Sequence, residues 1–122
     1  MKKIVIVEDN KEIQDIYALF FAQAHIDNIV IAAQVENAET ALKKIPEIRP
    51  DLLIVDISLP GMDGISLSRL IKKKHPAIKI LIASANDRET YYSKSKEAGA
   101  DDFVEKINVP KIVEKTRLLL AA

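Results

Sequence analysis

Five short apolar runs, separated by longer segments with helical periodicity, are the feature of this sequence that most restricts its fold. The runs cover residues 4–7, 29–35, 52–55, 78–83 and 103–104. The first, third and fourth contain almost no polar residue, which is typical of parallel strands that are covered on both faces. The sequence therefore predicts a sheet with helices on each side of it.

The segments between the runs predict helices with one apolar face. In the first segment, apolar side chains fall at positions i, i+3, i+4, i+7 and i+11, namely Ile13, Ile16, Tyr17, Phe20 and Ala24. The second segment repeats this pattern until Pro46 interrupts it, and the third ends before Pro76. The fourth ends at Gly99, and the fifth begins with Pro110 in its first turn.

Alternation of strands and helices predicts an α/β fold built from βα units joined by right-handed crossovers. Five such units suit a doubly wound, flavodoxin-like (βα)5 fold with a parallel sheet in the order 2-1-3-4-5. We expect a single domain over residues 1–122. In this fold the ligand crevice opens at the carboxyl ends of the strands, between the first strand and the third.

Composition excludes several classes of function. Eighteen basic and eighteen acidic residues give a net charge of zero, so we expect no direct binding to nucleic acid or to an anionic membrane surface. The chain has no cysteine, which excludes disulfides, thiolate metal sites and a cysteine nucleophile. No apolar stretch approaches the roughly 20 residues that span a bilayer. We expect a cytoplasmic protein with no membrane partner.

Polar residues follow four of the five predicted strands, at the edge of the sheet where the crevice should open. Glu8 and Asp9 come after the first strand, Asp56 after the third, Ser84 after the fourth and Lys106 after the fifth. Carboxylates that converge in this way repel one another unless a cation joins them. Oxygen ligands favour Mg²⁺, and an Asp, a lysine and a hydroxyl beside it would serve phosphoryl transfer.

The motifs at this edge resemble the receiver domain of two-component response regulators over essentially the whole chain. They are the pair Glu8-Asp9, "DISLPGMDG" at 56–64, "IASAN" at 82–86 and "AGADDFVEK" at 98–106. The resemblance implies that Asp56 accepts a phosphoryl group from a histidine kinase, a phosphotransfer protein or a small phosphodonor, and later loses it by autodephosphorylation.

The resemblance also implies a role for each site residue. Asp9, Asp56 and the backbone carbonyl of Ser58 would bind Mg²⁺ directly and Glu8 would bind it through water, while Lys106 would pair with the phosphoryl group. Ser84 would move toward that group as the ring of Phe103 rotates inward. Ser58 and Asn86 would tune hydrolysis, and the face formed by helix 4, strand 5 and helix 5 would contact a downstream partner or effector domain.

One departure from the family's usual pattern concerns the backbone after the lysine. The residue there is commonly proline, and in this chain it is Ile107. A cis peptide bond costs about 2.5–4 kcal/mol before a residue other than proline, so we expect a trans bond with Lys106 still reaching Asp56.

Two other functions are compatible with parts of this pattern. One is a Mg²⁺-dependent phosphohydrolase with an aspartyl nucleophile; the haloacid-dehalogenase-like type of such enzymes has a second Asp two residues after the nucleophile as general acid, where this chain has Ser58. A receiver-like interaction module that is not phosphorylated would be expected to lack Asp9, Asp56 or Lys106. We therefore expect a signalling domain that catalyses only its own phosphorylation and dephosphorylation and is not otherwise an enzyme, either alone or within a longer chain.

Overall fold

The computed structural model describes residues 1–85 and 88–121, excluding the side chains of residues 88–90. The strands are β1 Lys2–Val7, β2 Ile29–Val35, β3 Leu52–Val55, β4 Lys79–Ser84 and β5 Asp102–Glu105. The helices are α1 Lys11–Gln23, α2 Ala38–Ile48, α3 Gly64–Lys74, α4 Arg88–Glu97 and α5 Val109–Ala121. No described helix is both long and apolar enough to cross a membrane.

The five strands form one parallel sheet in the order β2-β1-β3-β4-β5, which confirms the predicted flavodoxin-like topology. Alternate residues of each strand point to opposite faces, so the sheet has two cores. Val5 and Val7 of β1 face a core that includes residues of α2 and α3, and Ile4 and Ile6 face a core that includes residues of α1 and α5. The central strand β3 is buried along its whole length. Because helices cover both faces, the two ends of the strands are left open, and the predicted site residues follow the carboxyl ends.

The buried face of helix α1 differs from the face that the sequence predicted. Its buried residues are Gln14, Tyr17 and Phe21, whereas Ile16 is 41% exposed. The spacing of 14, 17 and 21 matches one helical face, and the docking of α1 on the sheet centres this face on Tyr17. Ile16 instead joins Ile107 in lining an open groove of about 420 Å³ between α1 and the start of α5.

Helix α2 continues past Pro46 to Ile48, so the prediction that proline interrupts it was wrong. Proline lacks an amide hydrogen, but in the last turn of a helix this removes only one hydrogen bond. The helix ends where Arg49 adopts a left-handed conformation with φ of 54°, and its amide donates to the carbonyl of Ile45 at 2.8 Å. Pro50 follows and prevents the helix from continuing.

Candidate metal and phosphoacceptor site

Three carboxylates converge at the carboxyl ends of the two central strands. Glu8 and Asp9 follow β1, and Asp56 follows β3, where its amide donates to the carbonyl of Val7 at 3.1 Å. Each carboxylate offers an oxygen, and these oxygens lie within 4.8 Å of one another. Glu8 and Asp56 are only 1% and 5% exposed, while Asp9 is on the surface. The sequence prediction that these residues meet at one edge is confirmed.

Lys106 is the cation of this cluster and bridges two of the carboxylates. Its Nζ lies 2.7 Å from Oε1 of Glu8 and 2.8 Å from Oδ2 of Asp56. The peptide bond between Lys106 and Ile107 is trans and Lys106 reaches Asp56, as the sequence predicted. Burial by itself lowers the pKa of the Lys106 ammonium group, but hydrogen bonding to Asp56 and Glu8 and the charges of both leave this pKa raised. Lys106 therefore stays protonated.

The main-chain and side-chain polar atoms of Glu8 form hydrogen bonds or an ion pair with neighbouring residues. Its amide donates to the carbonyl of Val35 at 2.9 Å, and its own carbonyl accepts from the side chain of Gln14 at 2.6 Å. Oε2 accepts from the amide of Asn10 at 2.8 Å, while Oε1 has only the ion pair with Lys106. Burial raises the pKa of the Glu8 carboxyl, the contacts with Lys106 and Asn10 oppose this, and the charge of Asp56 adds to it.

Asp56 is fixed by the loop that follows it and by the start of α3. Its Oδ1 accepts from the amide of Ser58 at 3.3 Å. Gly64, the first residue of α3, packs directly on the Asp56 main chain, because a Cβ at position 64 would overlap the Asp56 carbonyl oxygen and lie 2.9 Å from Cγ1 of Val55. The carboxylate therefore projects from a backbone that has no room to shift toward α3.

The remaining predicted site residues lie around this cluster. Ser84 is fully buried at the end of β4, and its carbonyl accepts from the amide of Lys106 at 2.9 Å. Ser58 is exposed. Phe103 is 3% exposed and packs edge-on against Tyr92 of α4 with ring centroids 6.1 Å apart, so the ring already lies inward. Asn86 lies outside the described residues. The switching and hydrolysis-tuning roles of these residues stay predictions.

The cluster has the chemistry expected of a magnesium site. Within the described part of the chain, three carboxylates lie together with one lysine, which leaves an excess of negative charge in a partly buried crevice. All the candidate ligands are oxygens, and the buried Oε1 of Glu8 has its ion pair with Lys106 but no further hydrogen bond among the described residues. Hard oxygen ligands and uncompensated negative charge suit Mg²⁺. The residues present therefore fit this ion.

Two residues near the site carried no functional prediction. Gln14, on the buried face of α1, donates a hydrogen bond to the Glu8 carbonyl. A polar residue near the start of a helix is common, so the sequence did not indicate this contact. Tyr17 lies one turn further along, and burial together with the charges of Glu8 and Asp56 raises the pKa of its hydroxyl. The sequence identified Tyr17 only as an apolar contact.

Comparison with known proteins identifies the family. Residues 4–117 match the family model described as the response regulator receiver domain. The chain is 32% identical over 112 residues to the chemotaxis protein CheY of Listeria monocytogenes, covering 87% of each chain. It also resembles the crystal structure of a DNA-binding response regulator of the LuxR family from Staphylococcus aureus, with a TM-score of 0.87, 29% identity and 98% of each chain covered.

Other relatives are longer than this chain. It is 26% identical to the response regulator GacA of Pseudomonas syringae over 99% of its own length but only 56% of that protein. Receiver domains are phosphoacceptor signalling modules that bind Mg²⁺ at an acidic pocket and interact with histidine kinases or phosphotransfer proteins. The match over residues 4–117, together with the fold and the acidic cluster, shows that the chain belongs to the response regulator receiver domain family.

Proposed function

We propose that this chain is the phosphoacceptor domain of a two-component system and that Asp56 is the residue phosphorylated. The donor is the phosphohistidine of a histidine kinase or phosphotransfer protein, or a small phosphodonor. The observation that best supports this proposal is the buried Asp56 carboxylate, which contacts Lys106 at 2.8 Å within an acidic cluster on the open edge of the sheet. An Asp with only a structural role would be destabilised by the repulsion of two further carboxylates beside it.

The chemical step is an in-line transfer to a carboxylate oxygen. An oxygen of Asp56 forms a bond to phosphorus as the bond from phosphorus to the donor nitrogen breaks, and that electron pair stays on the donor imidazole. Lys106 holds Oδ2, and the amide of Ser58 donates to Oδ1, so the carboxylate is oriented before the donor arrives. Lys106 then neutralises charge on the transferred group.

Asp9, Asp56 and the backbone carbonyl of Ser58 would bind Mg²⁺ directly, and Glu8 would bind it through water. When bound, this ion supplies positive charge that offsets the carboxylates and the phosphoryl oxygens. Lys106 alone cannot do so, since two carboxylates already share its single charge.

Signal output would follow from small movements on one side of the site. Ser84 would approach the phosphoryl group, and Phe103 and its neighbour Tyr92 would adjust the face formed by α4, β5 and α5. A downstream partner or an effector domain would bind this face. Hydrolysis by water would end the signal, at a rate set by the side chains of Ser58 and Asn86.

We also propose that residues 1–122 act as the receiver unit of a regulator whose output lies elsewhere. The length of GacA beyond the matched region supports a separate output region, and the description of the Staphylococcus aureus protein as a DNA-binding response regulator supports an output on DNA. The alternative function of a phosphohydrolase is less compatible with the site, because Ser58 occupies the position where such enzymes need an acid.

The test uses acetyl phosphate or phosphoramidate as donor and intact-protein mass spectrometry as readout. We expect the wild type to gain one phosphoryl group only in the presence of Mg²⁺ and Asp56→Asn to gain none. Asp51→Asn is the matched control, because Asp51 precedes the same strand β3 at the opposite edge of the sheet. Labelling of Asp56→Asn at the wild-type rate would contradict the proposal.

A further inference from the structure

We propose that Gln14 is a positioning residue for the metal site, holding the main chain of Glu8 and Asp9 in the conformation that binds Mg²⁺. This inference rests on the proposed function, since it concerns the cation site of the same domain. It assigns a role in phosphorylation to a side chain that contacts neither the cation nor the phosphoryl group.

Gln14 is a polar residue in a position that would otherwise suit an apolar one. It is 5% exposed on the face of α1 that packs on the sheet, in line with Tyr17 and Phe21. A primary amide is costly to bury unless it forms hydrogen bonds. Its Nε2 donates to the carbonyl oxygen of Glu8 at 2.6 Å, so the buried amide is directed at the residue that begins the acidic cluster.

This hydrogen bond completes the set of contacts that fix Glu8. Strand β1 ends at Val7, so the carbonyl of Glu8 lies beyond the strand and needs another donor. Gln14 supplies that donor, while the Glu8 amide bonds Val35 and Oε2 bonds the amide of Asn10. The other carboxylate oxygen, Oε1, forms an ion pair with the same Lys106 that contacts Asp56.

Asp9 depends on the same contacts for its direction. Its side chain is exposed, and among the described residues it forms no hydrogen bond or ion pair. The main chain on either side therefore sets where the Asp9 side chain starts and which positions its carboxylate can reach, and this main chain is held at the Glu8 carbonyl and at the Asn10 amide. Loss of the Gln14 donor would release one of these two restraints.

A second amide connects Gln14 to the sheet. Nε2 of Gln34 donates to the carbonyl of Gln14 at 3.0 Å, and Gln34 is paired with Ile6 of β1 in the sheet register. The first turn of α1 is thus attached both to the edge strand β2 and to the loop that carries Glu8. Outer contacts of this kind orient ligands, and losing one typically weakens metal binding about 10- to 100-fold.

The experiment measures Mg²⁺ affinity by isothermal titration calorimetry on folded protein. Methionine matches glutamine in length and has no donor, so Gln14→Met should raise the dissociation constant for Mg²⁺ by about 10-fold or more. The phosphorylation rate at saturating Mg²⁺ should stay close to that of the wild type. Gln23→Met, on the exposed side of the same helix, is the control and should change neither quantity.

The outcomes separate this proposal from the proposed function. If the wild type binds no Mg²⁺, the metal site itself is wrong. If the wild type binds Mg²⁺ and Gln14→Met binds it equally well, the positioning role is overturned. A lower stability in urea with unchanged Mg²⁺ affinity would identify Gln14 as a packing residue only and would also overturn the proposal.

A measurement on the wild type keeps the proposal testable if Gln14→Met does not fold. In ¹⁵N NMR spectra, the side-chain amide signals of Gln14 should shift when Mg²⁺ is added, because the carbonyl that they contact belongs to a residue of the metal site. The side-chain signals of Gln23 should not shift. Signals of Gln14 that stay unchanged while the backbone amide of Asn10 shifts would overturn the proposal.

Discussion

The two edges of the sheet each carry a lysine paired with an aspartate, at the same distance and with different surroundings. At the carboxyl edge, where the strands end, Lys106 contacts Asp56 at 2.8 Å. At the amino edge, where the strands begin, Lys72 contacts Asp101, also at 2.8 Å. Pair geometry therefore does not distinguish the two edges.

In the Lys72–Asp101 pair at the amino edge the two charges balance, and the remaining contacts of both side chains are with main chain. Lys72 also donates to the carbonyl of Ile78 at 2.7 Å, and Asp101 accepts from the amide of Ile80 at 2.8 Å. One lysine and one aspartate thus connect the end of α3, the start of β4 and the loop before β5. This arrangement stabilises the fold and has no charge left for a ligand.

At the carboxyl edge, among the described residues, three carboxylates lie together and one lysine contacts two of them. Burial raises the pKa of the Glu8 carboxyl and the nearby charge of Asp56 adds to this, so the ionised carboxylates of this cluster would be stabilised by a further cation. The comparison shows that the balance of charges, and not the presence of an ion pair, marks the functional edge. Substitutions at the two edges should therefore change different measured quantities.

The largest expected effect is on phosphorylation when Lys106 is replaced. Lys106→Met removes the charge that faces the transferred group, and the rate of labelling by acetyl phosphate at saturating Mg²⁺ should fall about 100-fold. Lys72→Met should be labelled at the wild-type rate. The rates are measured by mass spectrometry on samples quenched at successive times. An equal fall in the labelling rate of the two variants would contradict the distinction between the two edges.

The next effect is on stability at the amino edge. Lys72→Met leaves Asp101 without its partner in a site where the two side chains are 18% and 23% exposed, and the free energy of unfolding should fall by about 2 kcal/mol. Urea denaturation measures this change. Lys73→Met, at the exposed neighbouring position, is the control and should be nearly neutral. A neutral Lys72→Met would show that the pair does not stabilise the fold.

A smaller effect concerns stabilisation by Mg²⁺. At a concentration tenfold above its dissociation constant, a ligand that binds only the folded state adds about 1.4 kcal/mol to the free energy of unfolding. Asp101→Asn should keep this increment although it is less stable without Mg²⁺, and Asp9→Asn should lose it. Urea denaturation with and without Mg²⁺ checks both variants. Retention of the increment in Asp9→Asn would exclude Asp9 as a ligand.

The smallest effect concerns the lifetime of the phosphoryl group. Ser58 is exposed two residues after Asp56, so Ser58→Arg should change the half-life of the phosphorylated state severalfold while the Mg²⁺ dissociation constant stays nearly the same. Ser93→Arg, at an exposed position of α4, is the control. Equal decay in both variants would argue against a role of Ser58 in hydrolysis.

Most of the fold could be predicted because burial on two faces leaves a clear pattern. Strands such as β3 are apolar along their whole length, and alternation with helices allows few topologies. The buried face of α1 was less predictable, because the apolar Ile16 is exposed and the polar Gln14 is buried. The continuation of α2 through Pro46 depended on where Arg49 ends the helix, which sequence periodicity does not give.

The site was predictable to the extent that it lies at strand ends. Parallel strands place their carboxyl ends together, so the meeting of Asp9, Asp56 and Lys106 followed from order along the chain. The contact between Lys106 and Glu8 and the hydrogen bond from Gln14 to the Glu8 carbonyl were not predicted. Both depend on the directions of long side chains, which a sequence pattern does not contain.

The packing of Gly64 on the Asp56 main chain determines which residues can occupy position 64. In a saturation mutagenesis library selected for phosphorylation, every substitution at Gly64 should be depleted, alanine included, because the first carbon of any side chain already overlaps backbone. Gly61 should behave differently, although its φ is +75°. The nearest atom to a Cβ there is the flexible Glu39 carboxylate oxygen at 3.2 Å, and asparagine tolerates such a φ. Substitution is therefore limited by the available volume at Gly64 and by the backbone angle φ at Gly61, although the two glycines are only three residues apart.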